Sequence, residues 1–500
     1  MVAQEVELIE VSEAKKLKPK YQIKAHSWMT RLKQPIPRIR NNTLHHVKPT
    51  TARGTCNVTI RIDARTSPIP IPTSPLPPPS DDRATELYSQ VNLFMLPLCV
   101  AITASRHRLY IHPAPAMSLP SATSKSLILT EATKDERVYI WTRHQPIWGH
   151  RLTAQAYIDR EEHLLTYQLT KDGGLTSWIL TDPTSTDAHG APGGRPILSA
   201  VETYRKRAVV RDPAGAVRDV TAHGVASVFT FDEFRRQGYA GRMLALLGET
   251  LAAQQAEDPG SAEFSILFSD IGRDFYANHQ WVPFPSAHLT FPTAPLATPY
   301  DDRLTIVTGD NLQAVARLDE QTLRRKIAHP PGRGYTVRAA ILPDFATYEW
   351  QMARERFLCD YVLGEAPTVH GAIYTPADAP GSRVWMLWSN ILYGGKEKPQ
   401  DNVMNILHYA LEDENISDED LSRALGAIMG LVHTEAQKWL CSRVDMWNPD
   451  ERTQRLLENM THLQGKLIVR DQTNIPSLRW FGQAPVSEVE WVDNEKFEWC

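Results

Sequence analysis

The sequence predicts an α/β protein: a mixed, mostly antiparallel central sheet flanked by helices, followed by a second α/β domain toward the C-terminus. Three observations predict it. Strand-like and helical stretches alternate between residues 126 and 292, and the antiparallel-looking strands lead into one β-loop-α-β unit around Gly238. A Pro-rich break, PTAPLATPYDD (292–302), separates that region from a second set of helices and strands. At 500 residues the chain has room for two or three domains of roughly 100–200 residues each.

Composition sets outer limits. A hydrophobic fraction of 42% and a charged fraction of 22% are those of an ordinary globular protein. The formal net charge of -4 gives no electrostatic case for nucleic acid as the main partner. The five cysteines, Cys56, Cys99, Cys359, Cys441 and Cys500, form neither a zinc-knuckle spacing nor a CxxC pair, so no metal is expected. An odd, sparse set fits a reducing compartment, and a cytoplasmic location is expected. No apolar run reaches the roughly 18–20 residues of a membrane span; the best, LFMLPLCVAI (93–102), is short and broken by Pro97.

Residues 1–116 read as a basic, Pro-rich, disordered tail. Residues 14–65 carry thirteen Lys and Arg against one acid, Asp63, without amphipathic periodicity. Seven of the twelve residues from Pro68 to Pro79 are proline, which removes backbone donors and favours extended chain over a packed core. Met117 stands just before the ordered texture begins. The organisation expected is therefore tail 1–116, a first domain 117–298 and a second domain 299–500.

In order, SLILTEA (126–132) reads as a strand, and ATKDERVYIWTRHQPIWGHRL and AQAYIDREEHLLTYQL as helices. LTSWILTD (175–182), ILSAVETYRKRAVV (197–210) and VRDVTAHGVASVFTF (217–231) read as strands, the last two joined by the turn DPAGA. The helix MLALLGETLAAQQAE follows, then a strand EFSILFSD (263–270), a short helix IGRDFYANHQ and a last strand WVPFPSAHLTF. In the second half LQAVARLDEQTLRRKI, DFATYEWQMARERFLCDYVL and EDLSRALGAIMGLVHTEAQKWL are helical, with strands at SRVWMLWSNILY and GKLIVRD.

The stretch FDEFRRQGYAGRML (231–244) carries the chemistry. Gly238 lets the backbone take positive φ and approach a ligand with no Cβ in the way. Ala240 and Gly241 keep the helix entrance open, and the helix dipole adds partial positive charge there. Arg235, Arg236 and Arg242 bracket the turn, and a diphosphate is its natural occupant. Neither GxGxxG nor GKS/GKT is present, so this is not a dinucleotide fingerprint or a P-loop.

R-x-x-G-x-A between a strand and a helix resembles the pyrophosphate loop of the GNAT acetyltransferases. Here it is Arg235, Arg236, Gln237, Gly238, Tyr239, Ala240, with Gly241 following. The resemblance implies the GNAT fold for the first domain and acetyl-CoA as co-substrate. It implies pantetheine paired along Val228, Phe229 and Thr230, and diphosphate on residues 235–241. SDIGRDFYANHQWVPF matches the family's next unit, placing Tyr276 where a general acid is often found and Ser269 where many members carry an Asn that contacts CoA. The sequence departs from the family at Arg236, Ser269 and Gln280, where glycine, asparagine and glycine are frequent. His223 and Glu202, upstream on the two preceding strands, are candidate bases.

The blocks HGVASVFTFDEFRRQGYAGRML and FSILFSDIGRDFYANHQWVPF, with WSNILYG and LRWFG, resemble the fungal lysine acetyltransferases over roughly residues 120–490. That likeness implies a small-molecule amine, free L-lysine, acetylated at its ε-amino group in lysine degradation. The second half is then expected to form part of the substrate pocket. A GNAT acting on a polyamine or a protein lysine, and a non-catalytic acyl-CoA-binding module, are the alternatives.

Overall fold

In the computed structural model of the protein, the residues described are 119–185, 187–293 and 301–499. The tail expected over 1–116 lies outside them. All described residues fall in one compact unit.

β1 (Ile128–Glu131) leads to α1 (Lys134–Trp148) and α2 (Ala154–Leu164). Thr133 and Glu136 start α1 with a reciprocal capping box, which satisfies two of the amide donors a helix start leaves open. β2 (Leu175–Thr181), β3 (Ser199–Arg211) and β4 (Val217–Thr230) follow as an antiparallel run. α3 (Tyr239–Glu257) crosses to β5 (Phe264–Ser269), which lies parallel to β4. Met243, Leu244, Leu247 and Leu251 recur on one side of α3 and are buried, so that side packs on β1 to β4. A one-turn helix α4 (Asp274–Ala277) ends this unit.

The expected last strand is two. Val282 and Pro283 form β6 of the first sheet, and Ala287–Pro292 form β7 of another. Pro283 and Pro285 lack ladder donors and break the run between them. The chain continues through β8 (Leu304–Val307), α5 (Leu312–Ala328), β9 (Val337–Ile341), α6 (Phe345–Leu363), β10 (Gly371–Tyr374), β11 (Val384–Ile391) and β12 (Val403–Leu411). It closes with α7 (Asp418–Lys438), β13 (Arg443–Trp447), α8 (Glu451–Asn459), β14 (Lys466–Val469), β15 (Ile475–Trp480) and β16 (Val489–Trp491).

Two mixed sheets result. The first runs β1-β2-β3-β4-β5-β15-β6, with β9 pairing β3 and β16. The second runs β14-β7-β13-β12-β11-β10-β8. The sheets do not divide at residue 298: β7, before it, lies in the second sheet, while β9, β15 and β16, after it, lie in the first. Strand pairing and apolar burial, not chain order, set the layers, and β15 inserts between β5 and β6 because it pairs with both.

A buried ionic cluster ties α5 and the C-terminal segment to the second sheet. His408 of β12 lies 3.1 Å from Asp319 of α5 and 2.9 Å from Glu495. Tyr348 donates to the same Asp319 at 2.5 Å, and the Tyr409 amide donates to Glu495 at 3.0 Å. Although burial favours the neutral ring, the two carboxylates hold His408 well above its ordinary pKa. His408→Leu leaves both acids buried without their shared cation, so unfolding in urea should show a loss of about 3–5 kcal/mol. An unchanged midpoint would show the cluster contributes nothing to holding these elements together.

Candidate active site

β4 and β5 pair in parallel over only three residues, Ala222 to Gly224 against Phe264 to Ile266. Beyond that point β3 still holds β4, and β15 still holds β5, so the two strands diverge and leave a V-shaped gap. A β-bulge lies on the β4 side of the gap. Ala200 faces Phe229 and Glu202 faces Ala226, so Ser227 and Val228 together oppose Val201, and Ser227 takes φ 53°. A bulge re-aims the backbone, here where the neighbouring strand has left. The gap encloses a cavity of about 40 Å³. Val225–Val228 line one side and Leu267, Phe268, Asp270 and Tyr276 the other. Trp148 from the end of α1 and Trp499 from the C-terminal segment also line it. The gap lies at the carboxyl ends of two parallel strands, the usual place for a ligand in an α/β sheet.

Tyr276 reaches this gap. Burial pushes its phenol far up, so it stays protonated and able to donate at neutral pH. Val228 lines the gap as well, whereas Phe229 packs its ring on His144 and Trp148. Thr230 shares a hydrogen bond with Ser199 at 2.5 Å. Ser269 is turned inward: its hydroxyl donates to Gly272 O at 2.7 Å and accepts from the Ile271 amide at 3.3 Å. Asp270, the next residue, lines the gap instead.

The loop after β4 opens beside the gap. Gly238 is the N-cap of α3 at φ 84°, and no side chain caps the helix, so its leading amides face outward unpaired by an i−4 carbonyl. Arg236 also takes positive φ, 60°. Arg235 folds back, donating to Thr230 O at 3.1 Å, pairing with Asp232 at 2.9 Å and resting over the Phe229 ring. Gln237 bonds Glu233 O at 3.3 Å. Tyr239 is buried and donates to Pro120 O at 2.6 Å, which anchors the helix start from behind. Ala240 and Gly241 follow in the first turn; a Cβ on Gly241 would come within 3.0 Å of the His279 ring, so glycine permits this close approach. Arg242 Nε is buried and meets no acceptor among the described residues.

The two candidate bases separate. His223 sits on the paired part of β4, opposite Ser265, and lines a different depression with Ser261 and Gly260. Burial lowers its pKa to about 4, so it is neutral at pH 7 but a weak base. Glu202 lies beneath the bulge. Its carboxylate accepts from Ser227 Oγ at 2.6 Å, Trp141 Nε1 at 3.2 Å and Ser177 Oγ at 3.4 Å. Ser227 lines the gap, so Glu202 reaches it through one hydroxyl. Sequence reasoning missed Trp148, Ser227, Asp270 and Trp499; only Asp270, at the exit of a parallel strand, carried a local signal. Among the described residues no group of three or more His, Cys, Asp or Glu side chains is placed to hold a metal ion. No helix among them is long and apolar enough to cross a membrane.

Residues 288–500 match the family model described as the LYC1 GNAT-like C-terminal domain, beginning where β7 enters the second sheet. The sequence is 22% identical to a lysine acetyltransferase of Yarrowia lipolytica over 401 residues, 71% of this chain and 94% of that protein. Similar solved structures include a GCN5-related N-acetyltransferase of Anabaena variabilis, with TM-score 0.43 and 13% identity over 71% of this chain and 73% of that one. A probable N-acyltransferase of Enterococcus faecalis has TM-score 0.42 and 14% identity over 71% and 72%. The two sequence matches bear out the resemblance to GNAT N-acetyltransferases and the class of enzyme it implies.

Glu202 supplies a pH test of the site. Burial, then the charge of Glu161, raise its pKa above the ordinary carboxylate value, and its three hydrogen bonds only partly oppose them. A folded-state pKa raised above the unfolded one means the native state binds the proton more tightly. Stability is then fullest below the ordinary value and falls as pH rises through the raised one. Gln cannot ionise and still accepts from Ser227. The Tm of Glu202→Gln should therefore gain on wild type as pH rises above the ordinary carboxylate value of about 4, and a difference that stays constant as pH rises would contradict the buried assignment.

Proposed function

We propose that the protein is an acetyl-CoA-dependent N-acetyltransferase that acetylates the ε-amino group of free L-lysine. The observation that carries this reading is the gap between β4 and β5, opening beside the uncapped start of α3 and lined by Tyr276. Unpaired strand edges there accept the amide groups of pantetheine, and the amides of residues 236–241 with the helix dipole accept the diphosphate. The Yarrowia lipolytica relative, named as a lysine acetyltransferase, supports the substrate.

The transfer balances with the groups present. The neutral amine attacks the thioester carbonyl carbon, and the developing oxyanion is held by a backbone amide at the bulge, Phe229 or a neighbour. The C–S bond breaks as the amide forms, and Tyr276 protonates the leaving thiolate. The proton lost by the amine passes through Ser227 toward Glu202, the candidate base with a hydrogen-bond path to the gap. The His223 ring instead meets Ser261 O at 3.4 Å, on a depression apart from the gap.

Two measurements follow. Gly238→Asp places a Cβ 3.1 Å from Ala122 and a carboxylate against the diphosphate. Calorimetry should show CoA binding weakened by at least about 2 kcal/mol, with Gly238→Asn, which tolerates the same backbone conformation, losing much less. Equal affinities for wild type and Gly238→Asp would remove the loop from the cofactor site.

The second is an amine panel at fixed acetyl-CoA: L-lysine, ornithine, spermidine and a lysine-containing peptide. L-lysine should lead in kcat/KM, and Tyr276→Phe should lower kcat about 10- to 1000-fold with little change in KM for acetyl-CoA. Preference for spermidine or the peptide would overturn the substrate while leaving the transferase. Binding of CoA without turnover of any amine would favour a non-catalytic module.

A further inference from the structure

The second sheet carries a cavity of about 550 Å³ on one of its faces. Alternation along β13 builds it. Val444 and Met446 enter the core under α7, so Arg443, Asp445 and Trp447 project to the other side. Asp445 pairs in register with Asn405 of β12 and Thr290 of β7, and both of these line the same cavity. Arg470, just past β14, completes the wall.

The polar groups here are incompletely used. Arg470 is only 6% exposed, with its guanidinium centred 4.1 Å from the Trp447 ring. Its Nε donates to Ser286 Oγ at 2.8 Å, but both terminal nitrogens are buried without an acceptor among the described residues. Asp445 is 7% exposed. One carboxylate oxygen pairs with Arg443 at 3.1 Å, and the other is buried without a donor among the described residues. The Asn405 amide nitrogen is likewise buried without an acceptor among the described residues. Burial pulls the Arg470 pKa down to about 10 and the Asp445 charge opposes this, so Arg470 is still a cation at neutral pH. A buried guanidinium and carboxylate that leave polar atoms unmatched lower stability unless something else meets them.

We propose that this cavity binds the head of an α-amino acid: Arg470 receives the α-carboxylate through its two terminal N–H groups, and the free oxygen of Asp445 receives the α-ammonium. The inference rests on the reading of the chain as an amine acetyltransferase, because the cavity adjoins the β4–β5 gap. Asn474, which lines the cavity, donates its amide to Asp270 at 3.0 Å, and Asp270 lines the gap. Lys496 lines the cavity and lies over the ring of Trp499, a gap residue, at 4.0 Å. An amino acid held by its head has its side chain free to extend toward that shared wall. A planar two-nitrogen donor suits a carboxylate in bidentate geometry, and the separate unpaired acid suits a charge that a simple carboxylate or phosphate lacks. The ligand expected is therefore a zwitterion with a distal amine, not a polyamine and not a blocked residue within a peptide.

The test is equilibrium binding by calorimetry on the full chain with CoA present. The probes are L-lysine, L-lysinamide, which lacks the carboxylate, and Nα-acetyl-L-lysine, which lacks the ammonium. Wild type should prefer L-lysine to either analogue by about 10- to 100-fold, the effect of one lost charged hydrogen-bond partner. Arg470→Met should bind L-lysine no better than L-lysinamide, and Asp445→Asn no better than Nα-acetyl-L-lysine. CoA affinity should be unchanged in both, which also shows that they fold. If Arg470→Met still prefers L-lysine to its amide, or if wild type does not distinguish the three, the site assignment is overturned. Failure of the transferase reading is separate: L-lysine would bind with this pattern, yet no acetyl transfer would be detected.

Discussion

Parallel pairing between β4 and β5 ends at Gly224 and Ile266, and the candidate site depends on that ending. Each strand keeps a partner on its far side, β3 for one and β15 for the other, so the gap costs no collapse of the sheet. The backbone that faces the gap is left for a ligand to pair. The bulge at Ser227 and Val228 is the matching device on β4. It sets Ser227 between the gap and Glu202, and so couples a buried acid to an open space by a single hydroxyl.

The C-terminal segment closes the same region from the other side. Glu495 meets His408 of the second sheet, and Glu498 accepts from Trp491 Nε1 at 3.1 Å. Lys496 lies over the rings of both Trp447 and Trp499, while Trp499 O accepts from Gln351 of α6 at 2.5 Å. These contacts fix Trp499 at the gap and Lys496 at the neighbouring cavity. A segment a few residues long thereby joins the two sheets where donor and acceptor would meet. Burying so many charged groups is favourable only when each finds a partner. Glu495 and Lys496 find theirs in these contacts, whereas Arg470 and Asp445 keep buried atoms unmatched among the described residues, the feature on which the proposed amino-acid site rests.

Local signals made much of the first half legible. The strands at 175–182, 197–210 and 217–231 appear within two residues of where alternation places them, and the helix read from Met243 ends at Glu257 as expected but starts four residues earlier, at Tyr239. Gly238 takes the positive φ that its place in the turn demanded. What sequence alone missed is non-local. β15 pairs with β5 across some 200 residues of chain, and nothing within IPSLRW announces it. The bulge at Ser227 depends on register against β3, so Ser227 reads only as one residue of a strand. Ser269 matched a motif column, yet its hydroxyl serves the turn at Gly272. The RVDMW strand has the alternation of a sheet with one polar face, but its meaning needs Arg470 beside it, brought there by β14.

The proposed donor site in the first sheet and the proposed acceptor site on the second meet across the wall shared by Asp270 and Asn474. The measurement that tests this most directly is a crystal structure with CoA and L-lysine bound. It should show the pantetheine arm between β4 and β5, the thiol near the Tyr276 hydroxyl, and the lysine ε-nitrogen directed at the sulfur from the cavity of the second sheet. CoA bound away from the β4–β5 gap, with that gap still closed by Trp148 and Trp499, would contradict it.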